Sequence, residues 1–254
     1  MFVLDSLAAT CIAIIALAVD LRLACAIPKN RASELTVRHA LMQKPYAANA
    51  MIDCAVHCGV KHIVYVGSWT SALEYHTPTV IGKRFRPTES LLSAYAAEKK
   101  ISFTSLRAGF FHENFLNAWK NGIKESNSVY WPVSFAIPSV DPRDVGSVAA
   151  VIAATPDYAA EYGGKYMHVS GPQRHFGKEL VDFINKASGT TVQYCTPSST
   201  KDYLSKIPSA LAELLTAYDV DHDSIPLSDT VQRVTGRPGR NFEEWLQENK
   251  YRLD

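Results

Sequence analysis

Two short apolar runs, Ile63-Val64-Tyr65-Val66 and Phe103-Thr104-Ser105-Leu106, are rich in β-branched and aromatic residues, and each follows a stretch with helical spacing. That pattern predicts two neighbouring buried strands of a parallel sheet. The first run stops at Gly67-Ser68 and the second at Ala108-Gly109. Ligands of open α/β sheets bind beyond the carboxyl ends of strands, so the residues after Val66 and Leu106 are the first candidates for chemistry.

The remaining pattern fills in around these runs. Leu35, His39, Met42, Tyr46, Ala50 and Cys54 recur at helical spacing, with Pro45 dividing the stretch into two pieces and Gly59 ending it. From Trp69 to Thr88 no period is evident, and Lys83, Arg84 and Arg86 read as a solvated or ligand-binding loop. A helix is predicted from Thr88-Glu89 to Lys100, with Pro87 near its first turn. Asp141-Pro142 signals another helix start, running through Val145, Val148, Ala149 and Ile152. Tyr166 to Val169 reads as a strand, Lys178 to Ala187 as a helix stopped at Gly189, and Thr191 to Cys195 as a short strand. Ser198 to Leu227 is an amphipathic helical stretch. After it, Gly236-Arg237-Pro238-Gly239-Arg240 forms a turn that docks, or binds an anion, ahead of a helix capped by Asn241.

At 254 residues the chain suits one large α/β domain with a small appended lobe. We divide it into residues 1–195 and a helical lobe of 196–254. Its 26 basic and 25 acidic residues carry a net charge of +1 with no long same-sign block, which argues against nucleic acid or a membrane surface as partner. Five cysteines without a CxxC pair read as free thiols of a reducing compartment. The predicted location is the cytoplasm. The segment between Asp5 and Asp20 is apolar on every helical face, and Ala24-Cys25-Ala26 mimics a signal cleavage site. No basic residue precedes that run, while Asp20 and Arg22 interrupt it, so a core helix is the better reading. His112 and Glu113 are adjacent and lack a third ligand at metal-like spacing; no metal site is predicted.

GVKHIVYVGSW, Glu89, TSLRAGFFHEN, AIPKNRASE, DPRDVGSVAA, HVSGP and GRPGRNFEEW together resemble the NmrA-like branch of the atypical short-chain dehydrogenase/reductase superfamily. The resemblance implies a Rossmann-like parallel sheet and NAD or NADP as cofactor, with a role either as a reductase or as a nucleotide-sensing regulator. It assigns cofactor contacts to Pro28, Asn30 and Arg31 in one turn, to Gly67, Ser68 and Trp69 in the next, and to Ala108, Gly109 and Phe110 beside the nicotinamide ring. Phe111 and Asn114 would contact substrate. Phe110 and Phe111 read equally well as core residues.

Aligned with that family, the apolar N-terminal run is a helix, Leu21 to Ile27 is a strand, and the chain begins late. The first glycine is Gly59, and neither GxGxxG nor GxxGxxG occurs. Weak cofactor binding is therefore expected, as is an apolar sheet edge at Leu21 to Ile27 able to pair two copies into a homodimer. YxxxK is also absent: Tyr75 is followed at that spacing by Thr79, which leaves Lys83 as the nearest proton source. Three readings follow. One is an NADPH-dependent reductase of a small carbonyl or enone, another a non-catalytic nucleotide sensor or partner-binding regulator, and the third a truncated product without activity.

Overall fold

The computed structural model describes residues 12–16, 45–72, 80–131, 136–196 and 227–249, with single positions 201, 205 and 212. In chain order the strands are β1 (Ile12–Ala16), β2 (His62–Ser68), β3 (Ser102–Ala108), β4 (Phe110–Phe111), β5 (Ser128–Tyr130), β6 (Ile137–Val140), β7 (Lys165–Val169), β8 (Arg174–His175) and β9 (Gln193–Cys195). The helices are α1 (45–57), α2 (Val80–Ala97), α3 (His112–Ser126), α4 (Pro142–Ala154), α5 (Tyr158–Tyr162), α6 (Gly177–Ser188), α7 (Thr230–Thr235) and α8 (Phe242–Asn249). The main sheet has the order β1-β2-β3-β7, and every pair in it is parallel.

Both faces of β2 and β3 are covered, which is why β2 reads as an unbroken apolar run through Ile63, Val64, Tyr65 and Val66. Ile63, Tyr65 and Phe103 point to one face and pack with Ile52 of α1 and Phe85 and Leu92 of α2. Val64, Leu106, Ala108 and Val169 point to the other, against Val145, Val148, Ala149 and Ile152 of α4 and Val231 of α7. A third core joins Trp69, Phe110, Phe115, Trp119 and Trp131 to Leu180, Val181 and Ile184 of α6 and to Phe242, Trp245 and Leu246 of α8. The architecture is a Rossmann-like α/β sheet with helices packed on both faces.

Three expectations change. Ile12–Ala16 is a strand, paired in parallel with β2 from Ile12 opposite His62 to Ala16 opposite Val66, and not part of a helix. A run that is apolar on every face is also what a strand buried on both faces requires, so periodicity could not separate the two. The sheet edge among the described residues is accordingly β1; Leu21 to Ile27 lies outside them. α2 begins at Val80 and carries Pro87 within it, so Lys83, Arg84 and Arg86 are helical. Its buried stripe is Arg84, Phe85, Thr88, Glu89 and Leu92, and three of those five being polar hid the helical period. On α1 the buried stripe is Ala48 and Ile52, while Tyr46 and Cys54 of the predicted stripe are exposed.

Other boundaries fall where the sequence placed them. Asp141 caps α4 by accepting from the Arg143 N–H at 2.8 Å, with Pro142 opening the helix. Gly59, at φ 78°, and Gly189, at φ 69°, end α1 and α6 in the left-handed conformation. Asn241 caps α8, its Oδ1 accepting from the Glu244 N–H at 2.8 Å. The amphipathic stretch predicted over 198–227 lies outside the described residues except at 201, 205 and 212, which are helical, and at 227.

Candidate functional site

The ends of β2 and β3 lie side by side, with Ser68 in register with Ala108. Beyond Ser68 the chain makes a single tight turn, Trp69–Ser71. The Ser68 hydroxyl caps it, accepting from the Thr70 main-chain N–H at 3.2 Å and from the Thr70 hydroxyl at 2.9 Å. A hydroxyl has two acceptor positions and one proton, so Ser68 is left with its proton to donate.

Beyond Ala108, the Gly109 N–H donates to the Val169 carbonyl at 2.9 Å. A Cβ at Gly109 would sit 2.9 Å from the Pro138 carbonyl oxygen, so this glycine is required by the close passage of β6. Trp69, Ala108 and Phe110 are buried, whereas Ser68, Gly109, Phe111 and Asn114 are half-buried. Phe110 lies in an aromatic cluster, 4.7 Å from Phe115 between ring centres. The structure thus brings Ser68, Trp69, Ala108, Gly109 and Phe110 together as a shelf with an aromatic floor. Lys83 is exposed on α2, and Pro28, Asn30 and Arg31 lie outside the described residues.

A polar layer that sequence reasoning missed underlies this shelf. Arg107 of β3 grips Glu89 of α2 through Nε to Oε1 at 3.0 Å and Nη2 to Oε2 at 2.8 Å, and the Ser105 hydroxyl donates to the same Oε1 at 2.7 Å. The guanidinium also lies 4.5 Å over the Tyr166 ring. Ser105 and Arg107 alternate along β3 and share a face with Phe103; a serine and an arginine two apart in a strand were the signal available. Gly67 sits against this layer: a Cβ there would meet Tyr65 Cε1 at 3.1 Å and Glu89 Oε1 at 3.5 Å.

A second missed cluster joins the lobe to the sheet. Asp144 is wholly buried on α4 and accepts from Arg237 Nη1 at 2.8 Å and Arg240 Nη1 at 2.7 Å. The turn at 236–240 is therefore a docking element. Nearby, His112 opens α3 with its ring edge-on to Phe242 and Trp245. Burial holds its pKa down to about 4.

The shelf fits the nicotinamide end of a dinucleotide in one respect: the spare proton on Ser68 suits an amide or ketone carbonyl. Among the described residues no glycine-rich turn is available for a pyrophosphate, and no cluster of three or more His, Cys, Asp or Glu could hold a metal. No helix among them is long and apolar enough to cross a membrane. Two open grooves, of about 900 Å³ beside Tyr166, His168 and Arg233 and about 620 Å³ beside His175 and Phe183, do not include Ser68 or Gly109.

No protein-family profile matches the chain. It is 28% identical over 207 residues to the NAD(P)H azoreductase of Xenophilus azovorans, an alignment covering 78% of this chain and 68% of that protein. Among solved structures it resembles the Escherichia coli NADPH-dependent quinone oxidoreductase QOR2 complexed with NADPH, with a TM-score of 0.65, 23% identity and coverage of 82% of this chain and 72% of that one. It also resembles NmrA, a negative transcriptional regulator, with a TM-score of 0.57, 16% identity and coverage of 81% and 70%. The sheet order and the shelf at its carboxyl end agree with these likenesses, and the chain has the Rossmann-like α/β fold of the solved structures it resembles.

Proposed function

We propose that the chain is an NAD(P)-dependent reductase passing hydride from NADPH to a small carbonyl compound or conjugated enone. The observation that carries this reading is the Ser68 hydroxyl, held at the carboxyl end of β2 with both lone pairs occupied and its proton unspent. Bound NADPH would supply the hydride. Ser68 would donate its O–H to the substrate oxygen, where negative charge builds as hydride arrives, and the Thr70 hydroxyl donating into Ser68 makes a two-hydroxyl chain along which a proton can follow. Trp69 and Phe110 close the floor against water, with Phe111 and Asn114 bordering the substrate. Lys83, exposed on α2, takes no step in this scheme. The azoreductase and the quinone oxidoreductase lend the reading support through what they do themselves.

Titration with NADPH and with NADH, followed by nicotinamide fluorescence and thermal shift together, tests the proposal. Binding near micromolar with a stability gain that grows with ligand supports it. Absence of binding to millimolar removes it and leaves the second reading, a partner-binding regulator, which the likeness to NmrA favours. The proposal extends to pairing of two copies along the β1 edge. A monodisperse monomer by light scattering at micromolar concentration would remove that part.

A further inference from the structure

Three polar side chains near the carboxyl end of β2 are buried without hydrogen-bond partners: the Tyr65 hydroxyl, the Ser71 hydroxyl and Nη2 of Arg84. Tyr65 is 0% exposed, Ser71 3% and Arg84 4%. Each is a donor. Tyr65 and Arg84 act on each other electrostatically across the gap between β2 and α2, and the turn bearing Ser71 packs against the same helix. The Thr88 hydroxyl faces the phenol, but its proton is committed to Asn49 Oδ1 at 2.9 Å.

Among the described residues no carboxylate pairs with this guanidinium, and burying such a group unpaired is costly. The Glu89 carboxylate on the same helix is already taken by Arg107 in a two-pronged pair. Arg84 is left with the face of Phe85, 5.5 Å from its ring centre. Burial pulls its pKa down to about 10 and pushes that of Tyr65 well above the usual phenol range. A cationic head with two hydroxyl donors nearby, and no carboxylate paired to it among the described residues, is the chemistry of an oxyanion site.

We propose that Arg84, with the Tyr65 and Ser71 hydroxyls, forms a binding site for a small oxyanion, a carboxylate or phosphate group. The site stands apart from the Ser68 shelf and does not depend on cofactor turnover. Its ligand is either a free anion or the acidic group of a larger molecule.

The test is thermal unfolding of the full chain, without nicotinamide, in inorganic phosphate and in formate, with ionic strength held constant. The wild-type midpoint should rise by roughly 5 °C with the anion at about a hundred times its Kd. Arg84→Met should show no rise, and Tyr65→Phe should need about three- to tenfold more anion for the same rise. A response to phosphate alone points to a phosphate group, and a response to formate alone to a carboxylate. A wild type insensitive to both anions overturns the proposal, as does an Arg84→Met or Tyr65→Phe variant that responds like the wild type. NADPH binding is read separately, so failure here leaves the reductase reading untouched.

Discussion

Arg240 meets the buried Asp144 twice, through its main-chain N–H at 2.6 Å to Oδ2 and its guanidinium at 2.7 Å to Oδ1. Arg237 holds Oδ1 as well, at 2.8 Å. One carboxylate on α4 therefore fixes the turn that delivers α8 to the lobe core. Asp144→Ala should destabilise the protein by about 2–3 kcal/mol in urea unfolding. It should also open the 236–241 turn to protease before the sheet unfolds. Equal protection of that turn in the variant would show that α8 docks by its apolar face alone.

The Glu89–Arg107 pair gives the second prediction. Glu89→Gln leaves Arg107, 17% exposed, without its counter-charge, and should cost roughly 3 kcal/mol. Replacing both, as Glu89→Leu with Arg107→Met, should recover much of that loss, since the buried pair carries its own desolvation cost. Chemical denaturation of the single and double variants measures both.

Stability should depend on pH through two histidines. Burial lowers His62 and His112 to about 4 in the fold, below the ordinary histidine value of about 6.5. Between those values the unfolded chain binds more protons than the folded one. Each group's contribution, up to about 3 kcal/mol, is complete above pH ~6.5 and is lost as pH falls toward 4. Burial acts to raise Asp141, but the hydrogen bonds from Arg143 outweigh it and hold its pKa low, adding a further loss below about pH 4. Unfolding free energies between pH 4 and 7 should show this slope, and His112→Gln should make it shallower.

Gly109→Ala places a methyl 2.9 Å from the Pro138 carbonyl and should destabilise by about 1–3 kcal/mol. Gly146 on α4 has nothing within 4 Å of its missing Cβ, so Gly146→Ala should be neutral or stabilising by up to about 1 kcal/mol. Paired melting curves separate crowding from a general intolerance of substitution.

If the shelf is catalytic, Ser68→Ala should lower kcat by roughly 10²-fold while leaving NADPH affinity within about twofold. Lys83→Ala should turn over like the wild type. Loss of turnover in the lysine variant instead would move the proton source to α2.

Short strand runs rich in β-branched and aromatic residues and helix ends with strong chemistry were readable in advance: β2, β3, β7, the Asp141 cap, the Gly59 and Gly189 stops and the Asn241 cap. Ile12–Ala16 was misread because an apolar run has no face to reveal its period. The start of α2 was missed because buried Arg84, Thr88 and Glu89 break the apolar stripe that usually marks a helix. The burial of Thr88 and Glu89 depends on Asn49 and Arg107, partners supplied by other elements. At the candidate site Ser68 was named from its place after a strand, but its donor role required the Thr70 geometry. The Asp144 clasp joins residues 93 and 96 apart in sequence, and no local pattern announces it.

The core closed by Phe242, Trp245 and Leu246 is opened much earlier in the chain, by Trp69 and Phe110. During synthesis the last strand of the main sheet leaves the ribosome well before those three residues. At about 5–20 residues per second the interval is roughly 4–15 s. Through it the rings of His112 and Phe115, which Phe242 and Trp245 go on to cover, stay open to chaperones. Because the closing helix follows the sheet by so many residues, translation speed between Val169 and Phe242 sets how long the nascent protein remains sticky.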